Sequence, residues 1–123
     1  MLLDSNVIIY AARPEHVALR EFIADHAPAV SIISRIEVLG YHKLTEGDRR
    51  SLERFFELAE TLPLTEAVVN SAINLRNQRK MSLGDSIVAG TAIVHERTLA
   101  TRNTDDFRWI DGIELLDPLV QSA

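Results

Sequence analysis

The sequence predicts an α/β fold built on a parallel sheet. Short apolar runs alternate along the 123 residues with longer segments whose apolar residues recur at helical spacing. Strands that are separated by helices pair in parallel through right-handed crossovers. No repeat or linker divides the chain, and its length is typical of one domain that buries its own core. We therefore expect residues 1–123 to form a single α/β domain.

Four apolar runs are predicted to be strands, because each is short and bounded by polar or turn-forming residues. The predicted strands are residues 1–3, 29–33, 98–101 and 113–116. Residues 62–64 are predicted to be a break or a short edge strand, since Pro63 cannot donate a hydrogen bond to a central ladder.

Amphipathic spacing and capping residues predict the helices. Residues 15–26 follow Pro14, a residue favoured at the first helical position. Residues 45–60 carry an apolar face with charge opposite. Thr65 and Ser82 are typical N-cap residues. Besides residues 15–26 and 45–60, the predicted helices are residues 34–41, 65–80 and 82–95. A further helix begins over residues 6–10.

Composition indicates a soluble globular protein, with 46% hydrophobic and 25% charged residues. The chain has no cysteine, so neither a disulfide nor a thiolate metal site is available. The N-terminus lacks the pattern of a signal peptide, and no apolar run approaches membrane-spanning length. We therefore expect a cytoplasmic protein without a membrane partner.

Four acidic residues lie at the ends of apolar runs: Asp4, Glu37, Asp85 and Asp106. An ionised carboxylate near the core is costly unless it is paired or coordinates a cation, and no basic residue adjoins Asp4 or Asp85 in sequence. The carboxyl ends of parallel strands meet at one edge of a sheet, where ligands bind. Carboxylate oxygens are ligands that Mg²⁺ prefers, with Mn²⁺ as the alternative cation. The pattern predicts a shared divalent cation and hydrolytic chemistry.

Each acid also has a purely structural interpretation. Ser34-Arg35-Ile36-Glu37 matches a capping box, in which the glutamate hydrogen-bonds back to the cap, and the residue pattern alone favours this role for Glu37. Asp4 is compatible with a helix cap, and Asp85 follows a serine at a similar capping spacing. Asp106 is compatible with the start of a helical turn. The pattern of residues leaves these alternatives open.

Four segments together resemble the motifs of a known family. They are LLDSNVIIY at 2–10, SRIEVLGY at 34–41, LGDSIVAGTA at 83–92 and LATRNTDDF at 99–107. Their order and spacing resemble those of PIN domains, and more narrowly of the VapC-type toxins of type II toxin–antitoxin pairs. The resemblance spans nearly the whole chain, and it implies a three-layer α/β/α sandwich with a central, mainly parallel sheet.

The resemblance also implies a metal-dependent endoribonuclease. It places the metal-site carboxylates at Asp4, Glu37, Asp85 and Asp106, and so reverses the capping interpretation of Glu37. Thr101 and Asn103 match the polar positions of the family's T-x-N-x-x-D-F segment and would support the carboxylates or the attacking water. Some relatives carry an aspartate where this chain has Asn103. A non-catalytic PIN-fold binding module is the alternative function.

Partners are implied by the same resemblance: an RNA substrate, a cognate antitoxin protein, and a second copy of the chain in a homodimer. DNA would be contacted only through the antitoxin. The net charge is −5, but without the four candidate acids the other 14 acidic residues nearly balance the 13 Lys and Arg. Bulk charge therefore neither supports nor excludes RNA. The candidate RNA contacts are Arg13, Arg79, Lys80 and Arg102. The candidate antitoxin contacts are Phe55, Phe56 and Leu58.

Overall fold

A computed structural model describes residues 1–122. Five parallel strands form one sheet in the order β3-β2-β1-β4-β5. The strands are β1 (Leu2–Leu3), β2 (Ala29–Ser31), β3 (Glu60–Leu62), β4 (Leu99–Ala100) and β5 (Leu115–Leu116). The helices are α1 (Ser5–Ala11), α2 (Val17–Asp25), α3 (Ile32–Leu39), α4 (Glu46–Leu58), α5 (Glu66–Gln78), α6 (Leu83–Val94), α7 (Thr104–Phe107) and α8 (Pro118–Ser122).

The sheet separates two apolar cores, because successive strand residues point to opposite faces. Leu3 and Val30 pack with residues of α1, α2, α3 and α4. Leu2 and Leu99 pack on the other face with residues of α5, α6 and α7. The predicted α/β/α sandwich with a parallel sheet is therefore confirmed.

The strand order reverses between β1 and β4. The chain moves outward from β1 to β2 and β3, and then returns to place β4 on the other side of β1. Since crossovers are right-handed, this reversal puts the helices before and after β3 on opposite faces of the sheet. In such sheets the crevice beyond the carboxyl ends of the strands, at the reversal, is where ligands bind. Asp4 and Thr101 directly follow these two strands.

The second strand is shorter than the sequence predicts. The Ser31 hydroxyl accepts a hydrogen bond of 3.2 Å from the Ile33 N–H and caps α3, so that the helix begins at Ile32. The predicted helix start at Ser34 is therefore wrong, and Ser34 is buried within α3. Because Ser34 is not a cap, the capping-box interpretation of Glu37 is wrong as well.

Other boundaries follow from local chemistry. The α2 helix begins at Val17, so the prediction that Pro14 starts it is wrong. The N-caps at Thr65 and Ser82 are confirmed, since each hydroxyl accepts the backbone N–H three residues later, at 3.3 Å and 3.1 Å. An edge strand lies next to Pro63, but β3 spans Glu60–Leu62 and so shares only Leu62 with the predicted segment 62–64. The sequence did not predict α8.

The α5 and α6 helices approach closely at Gly90. A Cβ atom placed on this residue would lie 3.1 Å from the Val68 carbonyl oxygen and 3.2 Å from the Ala72 backbone nitrogen. A side chain at this position would require the α5 backbone to shift slightly. Gly90 therefore allows a close contact between the backbones of the two helices.

Candidate active site

Asp4 is a buried acid at the point where the strand order reverses. It occupies the N-cap position of α1, as the cap interpretation expects, but its side chain makes no capping hydrogen bond and is left for other partners. The Thr101 hydroxyl, which is itself buried at the end of β4, donates a hydrogen bond of 2.9 Å to Asp4 Oδ2. Asp4 is only 6% exposed. The two central strands therefore fix this carboxylate in the crevice.

Glu37 lies in the second turn of α3 and is held by a buried serine. The Ser5 hydroxyl donates a hydrogen bond of 2.8 Å to Glu37 Oε1. The same hydroxyl shares a second hydrogen bond, of 2.9 Å, with Ser34. This serine pair joins α1 to α3 and directs an otherwise exposed carboxylate toward the end of β1. The sequence did not single out Ser5 or Ser34 for this role.

Asp85 lies in the first turn of α6, next to Glu37. The neighbouring Gly84 is in contact with Glu37, because a Cβ atom on the glycine would lie 2.7 Å from Glu37 Oε2. The Asp85 N–H donates a hydrogen bond to the Ser82 hydroxyl, which anchors the start of the helix. The Asp85 side chain is half-buried. The absence of a side chain at Gly84 thus allows two acids from different helices to approach each other.

Asp106 approaches the same region from α7. Its side chain is exposed, and its N–H donates a hydrogen bond of 3.0 Å to the Asn103 carbonyl oxygen. The charge of Asp106 raises the pKa of Asp85. Together with Asp4 and Glu37 they form the acidic cluster: Asp4, Glu37, Asp85 and Asp106.

Burial and mutual repulsion raise the pKa of two members of the acidic cluster. Burial is the largest cause of the raised pKa of Asp4, the charges of Asp85 and Glu37 add to it, and the Thr101 hydrogen bond opposes it. Burial also leads the raised pKa of Asp85, a hydrogen bond with the Ser82 side chain opposes it, and the charges of Asp106 and Glu37 add to it. Within residues 1–122, the two ion pairs are Arg97–Glu60 and Arg108–Asp105, so no Lys or Arg neutralises the cluster.

Comparison with known proteins identifies the family. A family model described as the PIN domain matches residues 1–113. The chain belongs to the PIN domain family. Ribonuclease VapC10 of Mycobacterium tuberculosis is 31% identical over 93% of this chain and 90% of that protein.

Solved structures resemble this PIN domain along nearly its whole length. A toxin–antitoxin complex from Klebsiella pneumoniae contains a chain that is 26% identical, with a TM-score of 0.75 and coverage of 95% of this chain and 96% of that chain. The DNA-bound VapBC of Salmonella typhimurium contains a chain with a TM-score of 0.83 at 20% identity, with the same coverage, and so shares the fold.

The donor chemistry of the PIN domain's acidic cluster fits a hard divalent cation, since its ligand atoms are carboxylate oxygens without basic partners. Among residues 1–122, no three His, Asp or Glu side chains stand together as a ready-made metal cage. Magnesium is usually held by one or two protein carboxylates and keeps several waters. A pair such as Asp4 and Asp85 therefore satisfies this requirement without a preformed cage.

Thr101 and Asn103 differ in their relation to the acidic cluster. Thr101 donates to Asp4 and accepts a hydrogen bond of 3.1 Å from the Asn103 N–H. The exposed Asn103 side chain lines a neighbouring polar cavity of about 320 Å³, which the sequence did not indicate. Its other lining residues are Asn6, Ile9, Tyr10, Arg13 and Arg102.

An apolar cleft of about 480 Å³ lies on another side of this PIN domain, between α1, α2 and α4. Leu58 lines it and is 77% exposed, and the partly buried Phe55 lines it as well. Phe56 is buried in the core, so its prediction as an antitoxin contact is wrong.

Within residues 1–122, no helix is long and apolar enough to cross a membrane.

Two glycine variants separate site geometry from fold stability. We expect Gly84→Ala to displace the flexible Glu37 side chain and to lower nuclease activity, with little change in melting temperature. We expect Gly90→Ala to lower the melting temperature, because the backbone of α5 must move to admit the new methyl group. Thermal melting and an RNA cleavage assay measure both effects. A Gly84→Ala protein with wild-type cleavage would contradict the role of this contact.

Removal of the Asp4 charge should stabilise the metal-free protein. A raised carboxyl pKa means that the folded chain binds more protons than the unfolded chain. This contribution is present below the ordinary aspartate pKa of about 3.9 and is lost as pH rises through the folded value. We therefore expect Asp4→Asn to melt at a higher temperature than wild type at neutral pH in EDTA, with the difference shrinking toward pH of about 4.

The exposed Asp111→Asn variant is the matched control for this measurement and should melt like wild type at both pH values. A lower melting temperature for Asp4→Asn at neutral pH without metal would show that the Asp4 carboxylate is not electrostatically strained.

Proposed function

We propose that this protein is a metal-dependent endoribonuclease that hydrolyses RNA phosphodiester bonds, and that it is the toxin of a type II toxin–antitoxin pair. The observation that carries the proposal is the buried Asp4 carboxylate, which faces other carboxylates and no basic partner at the ligand-binding edge of the sheet. The proposed cation is Mg²⁺, with Mn²⁺ as the alternative.

The side chains of the acidic cluster have different proposed roles. Asp4 and Asp85 hold the cation, directly or through water, because these two acids are the more buried. A divalent ion bound there would polarise the scissile phosphate and lower the pKa of a coordinated water. Glu37 is oriented by Ser5 to accept a hydrogen bond from the attacking water, and Asp106 completes the ligand set. Thr101 is a positioning residue that fixes the Asp4 carboxylate.

Two relatives support this function. The 31% identical protein from Mycobacterium tuberculosis is named a ribonuclease, and the 26% identical chain from Klebsiella pneumoniae comes from a toxin–antitoxin complex. Both similarities extend over more than nine-tenths of this chain. A homodimer and a cytoplasmic location are part of the same proposal. On α5, Val69 and Ile73 are exposed and share one helix face, which suits a contact between two copies.

The antitoxin is proposed to place an apolar segment in the cleft between α1, α2 and α4. The cleft is lined mainly by apolar side chains, and Leu58 leaves about three-quarters of its surface uncovered there. Covering such a side chain with an apolar segment stabilises a complex through the hydrophobic effect. Operator DNA would be contacted by the antitoxin.

Purified protein incubated with RNA and Mg²⁺ tests the nuclease. We expect Asp4→Asn and Asp85→Asn to lower the cleavage rate by more than about a hundredfold. Substitution of a residue that only supports a metal ligand typically lowers activity by about ten- to a hundredfold, and loss of a ligand should have a larger effect. Thr101→Val should fall in that lower range, because it acts through Asp4. EDTA should abolish cleavage, and Asp111→Asn should cleave like wild type. No cleavage by wild type with either cation would favour the non-catalytic binding module.

Leu58→Glu tests the antitoxin cleft. We expect this variant to lose its complex with the co-expressed antitoxin while it keeps RNA cleavage, because a buried unpaired charge opposes an apolar contact. Leu64→Glu is the control, since Leu64 is 48% exposed and lies outside the cleft. Affinity purification followed by gel filtration measures the complex. Equal retention of antitoxin by both variants would exclude the cleft as the docking surface.

A further inference from the structure

The polar cavity of about 320 Å³ adjoins the acidic cluster. Asn6, Ile9, Tyr10 and Arg13 recur at three- and four-residue spacing and so share one face of α1 and its continuation. Arg102 and Asn103 approach from the segment after β4. Because Asp4 directly precedes α1 and Thr101 directly precedes Arg102, the same two chain segments build the acidic site and this cavity.

Two arginines concentrate positive charge in the cavity. The Arg102 Cζ atom lies 4.1 Å from the centroid of the Tyr10 ring, and the Arg13 Cζ atom lies 5.4 Å from it. Neither arginine forms an ion pair within residues 1–122, where the two ion pairs involve other arginines. Each guanidinium offers five N–H donors and no acceptor. The cavity therefore matches an anion.

Tyr10 supports Arg102 and does not present an aromatic face to a ligand. The rings of Tyr10 and His16 stack with centroids 3.9 Å apart and an interplanar angle of 15°. A guanidinium and an imidazole this close to one centroid cannot share a face, so they cover opposite faces of Tyr10. The His16 Nδ1 also hydrogen-bonds to the Tyr10 carbonyl oxygen at 2.6 Å and fixes the stack.

This arrangement favours a phosphate over a nucleobase. A base that stacks on a protein needs an open aromatic face, and both faces of Tyr10 are covered. A phosphate needs charged N–H donors in a fixed plane, which a stacked guanidinium supplies. The amide groups of Asn6 and Asn103 add neutral donors at the rim of the cavity.

We propose that this cavity binds a backbone phosphate of the RNA strand, next to the phosphodiester that is cut, through Arg13 and Arg102. The assignment rests on the proposed nuclease function. RNA that approaches four carboxylates is repelled, and two adjacent guanidinium groups offset this repulsion at the neighbouring phosphate. Because Tyr10 holds Arg102 in place before RNA binds, less side-chain freedom is lost on binding.

Binding of a fluorescein-labelled single-stranded RNA oligonucleotide, measured by fluorescence anisotropy, tests the proposal. The Asp85→Asn protein is the background, because it is expected to hold RNA without cutting it. We expect Arg13→Gln and Arg102→Gln each to weaken binding about tenfold. Each should also reduce the slope of log affinity against log salt by about 0.7. Arg76→Gln, another exposed arginine on the opposite side of the sheet, should leave both quantities unchanged.

A second pair of variants separates the positioning of Arg102 from its charge. Tyr10→Leu removes the supporting ring and no charge, so we expect weaker binding with an unchanged salt slope. Tyr10→Phe keeps the ring and should bind RNA like the Asp85→Asn background. Melting temperatures establish that the compared proteins are folded.

The outcomes distinguish this subsite from the nuclease proposal. If Arg13→Gln and Arg102→Gln bind RNA as tightly as Arg76→Gln, the subsite is overturned even where wild type cleaves RNA. If the Asp85→Asn protein binds no RNA, the subsite is overturned too. If the arginine variants weaken binding but wild type cleaves no RNA, the phosphate site stands and the nuclease proposal fails.

Discussion

The burial of the Asp4 carboxylate between β1 and β4 is the constraint on which the site depends. The Thr101 hydroxyl donates a hydrogen bond to this carboxylate, while the charges of Asp85 and Glu37 repel it. The free energy of unfolding of a small domain is only about 5–15 kcal/mol, so one uncompensated buried charge lowers it by a significant fraction. Natural proteins accept such local conflicts mainly at functional sites. A divalent cation would remove this conflict, which is the physical reason for proposing metal-dependent chemistry.

The meeting of Asp4 and Thr101 could be predicted, because it follows from topology. Parallel strands place their carboxyl ends at one edge, so Asp4 and Thr101 had to meet once β1 and β4 were neighbours. The support of Glu37 could not be predicted in the same way. It depends on where β2 ends: the Ser31 cap starts α3 two residues before the predicted position, which leaves Ser34 free to bond with Ser5.

The polar cavity illustrates a different limit of sequence reasoning. Arg13 and Arg102 were each candidates from their charge alone, as were Arg79 and Lys80. Only the folded chain brings Arg13 and Arg102 onto one tyrosine, whereas Arg79 lies over Trp109 with its Cζ atom 5.1 Å from the ring centroid. Side-chain stacking between segments far apart in sequence leaves no periodic signal. The net charge of −5 conceals the same arrangement, because it averages an acidic crevice with a basic cavity beside it.

Diffraction from crystals soaked in Mn²⁺, recorded with anomalous scattering, tests whether Asp4 and Asp85 hold a divalent cation. We expect an anomalous peak in the crevice beyond β1 and β4, in contact with the Asp4 and Asp85 carboxylates or one water away from them. The peak should be absent from Asp4→Asn crystals soaked in the same way. A wild-type crystal with no peak there, or with Mn²⁺ only on acids outside the cluster, would show that the acidic cluster is not a cation site.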